Sequence, residues 1–421
     1  MNLKEELTNL AKGAQEVARQ LVNLPSQTKN KVLEEMAGAL IAKKKKILNA
    51  NARDLRKAKT DKLSAAFIDR LTLSEKRLKE MSDSLLKIAE LEDPVGKLIK
   101  EWKAESGLSI NKVRTPIGVL FIIYESRPNV TSDCIGLCFK AGNSVILRGG
   151  SESLNSNLAI FGVLKEVLRK NNIPENAVSM VSTTERRAVD ILLKLNDYID
   201  LVMPRGGQGL IKRVAELSRI PVIKHYKGIC HVYVDEWADL NMAEKICFNA
   251  KVERPGVCNA MESMLVHKDA AVRFLPGMLK KFLEAGVEIR GCDITIKISR
   301  GAKGVVKAKE EDYSTEYLDL ILSVKVVENI DEAIRHINHY GSHHSDSIVT
   351  DDKESAARFL KEVDSACVYV NASTRFTDGN QFGMGAEIGI STDKLHARGP
   401  MALEELTTYK YQIHGSGQIR T

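Results

Sequence analysis

The chain has 421 residues, of which 43% are hydrophobic and 28% charged, so we expect two or three domains of ordinary soluble composition. The net charge of +7 slightly favours anionic ligands, but the one run of like charge, residues 43–46, is typical of a solvated helix face and does not predict nucleic-acid binding. The longest apolar run, residues 117–124, is far shorter than the roughly 18 residues of a membrane span, and the first residues are charged, so a cytoplasmic enzyme is predicted, with no membrane partner.

Residues 1 to about 92 are predicted to be helical, because apolar residues recur there at helical spacing. Residues 93–96 interrupt this pattern with a proline and a glycine. An alternating stretch at 109–114 and an apolar stretch at 119–124 follow, and together they predict a hairpin or a strand entering a sheet.

Strand and helix patterns alternate along most of the remaining chain. One series runs from Val145 to about Ile223, and a second begins after Cys258 and ends near Val370. Alternation of this kind predicts an α/β fold with parallel sheets covered on both faces, the architecture of nucleotide-binding domains. The tail at 407–412 is rich in β-branched and aromatic residues, and it predicts a polar strand that pairs at an edge or with another subunit.

A candidate nucleophile, Cys258, lies between these two series, directly after the turn residues Pro255 and Gly256. Thiolates attack acyl carbons well, and a nearby cation such as Arg254 lowers the pKa of a thiol. The local residues alone leave a structural thiol in a turn as an equal alternative, and Cys292 has a neighbourhood at least as polar.

Asn129 is a second candidate, because it follows an apolar strand that ends at Tyr124. Ligand-binding groups collect at the strand ends of parallel sheets, and an asparagine amide can donate hydrogen bonds to a developing oxyanion. By spacing alone, a turn asparagine that follows Pro128 is the more favoured interpretation.

Two glycine-containing segments, residues 147–151 and 203–209, each follow a predicted strand and precede a predicted helix. Glycines at such positions let backbone amides approach a phosphate, which Arg148 or Arg205 would neutralise. Neither segment is a GxGxxG or a Walker loop, so ordinary turns between strand and helix remain the alternative.

The cysteines and histidines do not predict a metal site. The seven cysteines contain no CxxC pair, and they are interpreted mostly as small buried hydrophobic residues. The pairs His336/His339 and His343/His344 have no acidic or cysteine partner at a suitable spacing, and they are interpreted as surface or helix-end residues.

Several longer motifs occur in order between Thr115 and Arg420. They are TPIGVLFIIYESRPNVTSD, SVILRGGSES, VMPRGGQGLI, CHVYVD, RPGVCNAMES, STEYLDLILSVKVV, FGMGAEIGIST and LHARGPMALEELTTYKYQIHGSGQIR. Together they resemble the glutamate-5-semialdehyde dehydrogenases, also called γ-glutamyl phosphate reductases, of the aldehyde dehydrogenase superfamily.

The resemblance implies an aldehyde-dehydrogenase-like fold with three parts. These are a Rossmann-type cofactor-binding domain at 1–107 and 125–254, an α/β catalytic domain at 255–400, and strands for homo-oligomerisation at 108–124 and 401–421. It also implies NADPH-dependent reduction of L-glutamyl 5-phosphate to L-glutamate 5-semialdehyde, the second step of proline biosynthesis. Whether glutamate 5-kinase hands over the acyl phosphate by direct contact stays open.

The resemblance also assigns roles to individual residues. It gives Cys258 the role of nucleophile and Asn129 that of oxyanion donor. The positions near cofactor-contacting residues of the superfamily are Arg148, Ser151, Gly206 and Glu316. By residue type and neighbourhood, the candidates for binding the substrate's phosphate and carboxylate, each with a salt bridge as the alternative, are Arg127, Arg254 and Arg375.

One segment departs from the wider superfamily. Hydrolytic aldehyde dehydrogenases carry a Glu-Leu-Gly-Gly motif whose glutamate activates the deacylating water, whereas the corresponding residues here are His-Tyr-Lys-Gly at 225–228. A reductase acting on an acyl phosphate has no water to activate, so the missing glutamate favours phosphate as the acyl partner. A hydrolytic enzyme would need that glutamate, and a scaffold or a nucleic-acid-binding protein would explain none of the ordered motifs.

Overall fold

The computed structural model describes residues 2–125 and 127–420. By their internal contacts they form two compact units. The first unit comprises Met1–Lys224, Gly383–Gly389 and Met401–Thr421, and the second comprises His225–Phe382 and Ile390–Pro400.

The helices in the described part of the chain confirm the predicted helical start and most of the later alternation. They are α1 (Leu3–Leu21), α2 (Ser26–Ala42), α3 (Lys44–Thr60), α4 (Ala65–Leu71), α5 (Glu75–Glu90), α6 (Asn129–Lys140), α7 (Leu154–Lys170), α8 (Arg186–Leu192), α9 (Gln208–Leu217), α10 (Leu240–Val252), α11 (Lys268–Glu284), α12 (Asp293–Ser299), α13 (Ile330–Tyr340) and α14 (Lys353–Glu362). Within residues 2–125 and 127–420, no helix combines the length and the apolarity that crossing a bilayer requires.

The strands alternate with these helices from residue 119 onwards. They are β1 (Leu98–Lys103), β2 (Ser109–Pro116), β3 (Val119–Tyr124), β4 (Ser144–Arg148), β5 (Val178–Met180), β6 (Leu201–Arg205), β7 (Cys230–Val234), β8 (Met261–His267), β9 (Glu288–Gly291), β10 (Val305–Lys307), β11 (Ile321–Val327), β12 (Ser345–Val349), β13 (Cys367–Val370), β14 (Ile390–Ser391), β15 (Gly399–Pro400) and β16 (Thr407–His414).

The first unit is built on a parallel sheet with the strand order β5-β4-β3-β6. All six residues of β3 are buried, which explains its unbroken apolar sequence. Helix α1 covers one face of this sheet with Leu7, Ala11 and Ala14. A reciprocal cap fixes its start, because the Asn2 side chain accepts from the backbone of Glu5 and the Glu5 carboxylate accepts from that of Asn2.

A separate antiparallel sheet in the first unit has the strand order β1-β2-β16. The strand predicted in the tail is therefore confirmed, and it pairs with β2 so that Thr407 faces Pro116. The structure divides the stretch 108–124 that we expected to serve oligomerisation. Strand β2 lies in the antiparallel sheet, whereas β3 is a buried inner strand of the parallel sheet, since both of its edges are paired.

The second unit is built on a parallel sheet with the strand order β10-β9-β11-β8-β7-β12-β13. Because β7 pairs with β8 and β12, residues 225–254 belong to this unit by their contacts, although the sequence places them with the cofactor-binding part. The functional roles of the two units remain a prediction. The α/β fold class with parallel sheets is confirmed.

Candidate active site

Cys258 lies in the loop that joins α10 to β8, and its side chain is partly exposed. A buried ion pair ties the two ends of this loop together, since Nζ of Lys251 lies 2.6 Å from Oε2 of Glu262 and neither side chain has exposed surface. Burial raises the pKa of Glu262 to about 7, although the neighbouring ammonium acts in the opposite direction. The loop that presents the thiol is thus anchored at both ends.

The main chain of Cys258 is held from the side by the segment before β7. A β-carbon on Gly228 would lie 1.9 Å from the carbonyl oxygen of Cys258, so only glycine permits this approach. The same carbonyl accepts a hydrogen bond from the thiol of Cys230 at 3.3 Å. The Glu316 carboxylate in turn accepts from the backbone N–H of Gly228 at 2.8 Å, and burial raises the pKa of Glu316. Glu316 therefore supports the Cys258 loop in the second unit, and its expected contact with a cofactor remains a prediction.

Two histidines lie beside the Cys258 thiol. His225, His344 and Cys258 each offer one donor atom, and these three atoms all lie within 4.8 Å of one another. The interpretation of His344 as a surface or helix-end residue is wrong, because its side chain has 0% exposure and burial lowers its pKa to about 3. His336 is likewise buried, whereas its neighbour His339 is exposed.

These side chains meet because of the strand order in the second sheet. Cys258 precedes β8, His225 and Gly228 precede β7, and His344 directly precedes β12. Strands β8, β7 and β12 are neighbours and parallel, so the segments before them come together at the amino-terminal edge of the sheet. The candidate nucleophile therefore lies at the edge opposite to the one where strand carboxyl ends gather ligands.

The residue after Cys258 connects the loop to the segment 374–377. Asn259 donates from its amide to the carbonyl oxygen of Thr377 at 2.9 Å, and Arg375 donates to the Asn259 side-chain oxygen. The guanidinium of Arg375 also lies 4.0 Å from the carboxylate of Glu253. These contacts match the salt-bridge alternative for Arg375, so its role in substrate binding stays a prediction. Arg254 lies in the same loop with an exposed side chain.

Asn129 is the first residue of α6 in the first unit, and its side chain is exposed. Its amide lies 3.4 Å from Asp133, which also accepts from the hydroxyl of Ser84 at 3.0 Å. Burial raises the pKa of Asp133 to about 6. Asn129 and Arg127 line one cavity of about 310 Å³ between the start of α6 and helices α4 and α5.

A second cavity of the first unit, of about 320 Å³, opens at the carboxyl ends of β3 and β4. Its lining includes Arg148 and Ser151, two of the residues placed near a cofactor by the resemblance. Strand β4 lies on one side of β3 and β6 on the other, so the chain reverses its direction of strand addition here. Ligands of open α/β sheets bind in the crevice at such a switch point.

The polar groups of this cavity suit an anionic ligand. Arg148 donates to the carbonyl oxygens of Gly149 at 2.9 Å and Thr184 at 3.3 Å, and its Nε is buried without a partner among the described residues. Gly206 packs against the cavity wall, because a β-carbon there would lie 2.4 Å from the carboxylate of Glu125. A guanidinium with an unused donor beside a glycine-bordered turn fits the phosphates of a dinucleotide.

The sequence matches the model of the Aldehyde dehydrogenase family over residues 2–299 and 304–411. The chain belongs to the aldehyde dehydrogenase family. Within this family, the gamma-glutamyl phosphate reductase of Thermodesulfovibrio yellowstonii is 56% identical over 420 residues, which cover 100% of both chains. The gamma-glutamyl phosphate reductase of Caldanaerobacter subterraneus subsp. tengcongensis is 57% identical over 410 residues, 97% of this chain and 98% of that relative.

A solved structure from the same family agrees with the fold. The crystal structure of gamma-glutamyl phosphate reductase from Thermotoga maritima has 47% sequence identity to this chain and a TM-score of 0.96, and the match covers 99% of this chain and 100% of the other. The family resemblance and the aldehyde-dehydrogenase-like fold predicted from the motifs are therefore confirmed. The individual site residues of this aldehyde dehydrogenase remain predictions.

Proposed function

We propose that this chain reduces L-glutamyl 5-phosphate to L-glutamate 5-semialdehyde with NADPH and releases phosphate, a step of proline biosynthesis. The observation that carries the proposal is the Cys258 thiol on a loop anchored at both ends, in a chain whose full-length relatives bear the name gamma-glutamyl phosphate reductase. The histidine at position 225, where hydrolytic members of the superfamily carry glutamate, supports an acyl partner other than water.

In the proposed reaction the thiolate of Cys258 attacks the acyl carbon of the acyl phosphate. The carbon–sulfur bond forms, the carbon–oxygen bond to phosphate breaks, and the product is a thioester on Cys258. The side-chain amide of Asn129 and the backbone N–H of Cys258 stabilise the oxyanion of the tetrahedral intermediate. After reduction of the thioester, the hemithioacetal collapses, which frees the semialdehyde and restores the thiolate.

We assign cofactor binding to the first unit, with Arg148 and Ser151 of the cavity at the ends of β3 and β4 as the residues that would hold NADPH. Bound NADPH supplies the hydride that reduces the thioester. Gly206 keeps the turn after β6 close to Glu125 of the same cavity, which supports its assignment to the cofactor site. The assignment of Glu316 to the cofactor site is proposed on the resemblance alone.

The remaining assignments concern the substrate and the assembly. Arg127 and Arg254, both exposed, are the proposed partners of the substrate's carboxylate and phosphate, together with Arg375. The proposed oligomerisation surface is the antiparallel sheet β1-β2-β16, because Tyr409, Tyr411 and Ile413 project about half exposed from β16.

The test is the reverse reaction, measured as NADP⁺ reduction with glutamate 5-semialdehyde, with and without inorganic phosphate. The proposed enzyme requires phosphate, or arsenate in its place, and NAD⁺ should replace NADP⁺ poorly. A hydrolytic aldehyde dehydrogenase would reduce NADP⁺ equally well without phosphate, and that result would overturn the proposal.

A further inference from the structure

We propose that His225, Cys258 and His344 form a binding site for one thiophilic divalent cation of the zinc class, and that the bound cation blocks the thiol. Binding requires only these three side chains, whereas the loss of turnover rests on the proposed role of Cys258 as nucleophile. All three residues belong to the second unit.

The donor atoms of His225, Cys258 and His344 are already close to the spacing of a metal site. The three donor atoms lie within 4.8 Å of one another. Zinc binds imidazole nitrogen at about 2.0–2.1 Å and thiolate sulfur at about 2.3 Å, which places the donors of a tetrahedral site about 3.4–3.6 Å apart. Side-chain rotations that move each donor by about 1 Å or less therefore suffice to close the site. Three protein donors with a fourth position open to solvent is a common zinc geometry.

Hydrogen bonds at Nδ1 orient the two imidazoles. Nδ1 of His225 lies 3.0 Å from the carbonyl oxygen of Ile390, and Nδ1 of His344 lies 2.8 Å from the hydroxyl of Ser345. A carbonyl oxygen only accepts hydrogen bonds, so Nδ1 of His225 carries a proton, and the metal would bind Nε2 of the neutral ring. Metal-binding histidines usually donate the other ring N–H to a carbonyl, carboxylate or similar partner, which fixes the ring orientation.

His344 has a buried ring nitrogen that makes no hydrogen bond with the described residues. Its Nε2 is fully buried and has no hydrogen-bond partner among the described residues. A buried polar atom without a partner destabilises the fold, so its retention calls for an explanation.

The thiol supplies the third ligand. When the cation binds, the sulfur–hydrogen bond of Cys258 breaks, the proton passes to solvent, and the electron pair on sulfur forms the bond to the metal, so that no oxidant or reductant takes part. The nearby Cys230 is a poorer ligand, since its side chain is fully buried and its thiol already donates to the carbonyl oxygen of Cys258.

The experiment titrates the purified enzyme with Co²⁺ as a spectroscopic probe and then displaces it with Zn²⁺. One equivalent of Co²⁺ should produce a thiolate-to-cobalt charge-transfer band together with the visible bands of tetrahedral cobalt. The Cys258→Ser variant should lose the charge-transfer band. His225→Asn and His344→Asn should each weaken Co²⁺ binding at least about tenfold.

Matched controls come from neighbouring residues. Cys292→Ser removes the other partly exposed thiol, and His343→Asn replaces the histidine adjacent to His344 at a positive φ of 59° that asparagine tolerates. Both controls should bind Co²⁺ like the wild type. If His344→Asn does not fold, as judged by circular dichroism, the partly exposed His225 provides the decisive variant.

Three outcomes would overturn the proposal. These are the absence of a charge-transfer band in the wild type, its persistence in Cys258→Ser, and binding that depends on the separate group Glu236, His267 and Asp269, which offers no thiol. Inhibition by Zn²⁺ that a chelator reverses is the expected functional result. An active Cys258→Ser variant would refute the proposed function instead, while the wild-type cobalt spectrum would still report whether the metal site exists.

Discussion

The carbonyl oxygen of Cys258 occupies the space beside Gly228 in which any other residue would carry its β-carbon. A Gly228→Ala variant must therefore move the Cys258 loop by more than 1 Å, because 1.9 Å is far inside the contact distance of carbon and oxygen. We expect kcat to fall about 100-fold or more while NADPH binding to the first unit is retained. The control is Gly277→Ala in α11, where the β-carbon meets nothing within 4 Å and activity should not change. Equal activities of the two variants would contradict this expectation.

Because Lys251 and Glu262 form a buried ion pair at the ends of the same loop, removing one partner should destabilise the protein more than removing both. At a pH above the raised pKa of Glu262, Lys251→Met leaves the carboxylate buried without its cation, so the free energy of unfolding should fall by about 3–5 kcal/mol, and at lower pH proton uptake by Glu262 makes the loss smaller. The double variant Lys251→Met/Glu262→Gln should be more stable than that single variant, because no charge is left unpaired. Urea denaturation of the three proteins measures this, and a double variant less stable than Lys251→Met would rule the explanation out.

The buried imidazole of His336 should make the free energy of unfolding depend on pH. It is buried between the rings of Tyr313 and Tyr340, and burial lowers its pKa from 6.5 to about 2. As the pH falls, the imidazole of His336 takes up a proton in the unfolded chain before it does so in the folded chain. The contribution of His336 to the free energy of unfolding is therefore complete above pH 6.5 and is lost as the pH falls. Between pH 7 and pH 5 the loss amounts to about 2 kcal/mol.

The variant His336→Phe should remove that part of the pH dependence and keep the aromatic packing. Its free energy of unfolding, measured in urea at pH 7 and pH 5, should change less than that of the wild type. His339→Gln on the exposed face of the same helix should behave like the wild type. If the free energy of unfolding changes equally between pH 7 and pH 5 for all three proteins, His336 does not control the acid sensitivity.

Replacing Arg148 should weaken binding of the cofactor and leave the chemical step unchanged. Arg148→Ala removes the only side chain of the cavity that reaches both Gly149 and Thr184 among the described residues, and with it a positive charge. We expect the KM for NADPH to rise about tenfold or more with little change in kcat. Arg187→Ala, which alters an exposed residue outside the cavity lining, is the control. A fall in kcat at an unchanged KM would contradict this assignment.

Replacing Asn129 should give the opposite kinetic pattern, with a lower kcat and a nearly unchanged KM for the cofactor. Asn129→Ala removes the proposed oxyanion donor, so kcat should fall by about 10²–10³-fold while the KM for NADP⁺ stays close to that of the wild type. Since the side chain is exposed at the start of α6, the fold should be unaffected. Steady-state kinetics with the semialdehyde and phosphate measure both constants, and turnover within about threefold of the wild type would remove Asn129 from the mechanism.

The sequence predicts the secondary structure of this chain where periodicity is strong. The apolar run 119–124 and the alternation after Val145 correspond to real strands and helices. Periodicity does not predict helix α6, because it begins beside Pro128 without a side-chain cap, and it does not predict β1, because the residues of that strand are almost all exposed. The sheet to which β3 belongs was not predictable, since strand pairing depends on contacts between distant residues.

The candidate site was predictable only in part, for the same reason. Motifs pointed to Cys258 and Asn129, but the neighbourhood of His225, His344 and Cys258 arises from the order β8-β7-β12 and not from any spacing in the chain. One local feature of the sequence is consistent with this neighbourhood. Each of these residues stands shortly before an apolar strand, and loops that precede neighbouring parallel strands meet at one edge of the sheet.

The pairing of β16 with β2 has a consequence for synthesis. Thr407 reaches the ribosomal exit about 290 residues after its partner Pro116, a delay of roughly 15 to 60 s at translation rates of ~5–20 residues per second. During this interval one edge of β2 has no strand to pair with, while the residues of the second unit are being synthesised. The nascent chain therefore carries an unprotected strand edge for most of its synthesis, and it is at this stage that chaperones have the most to shield.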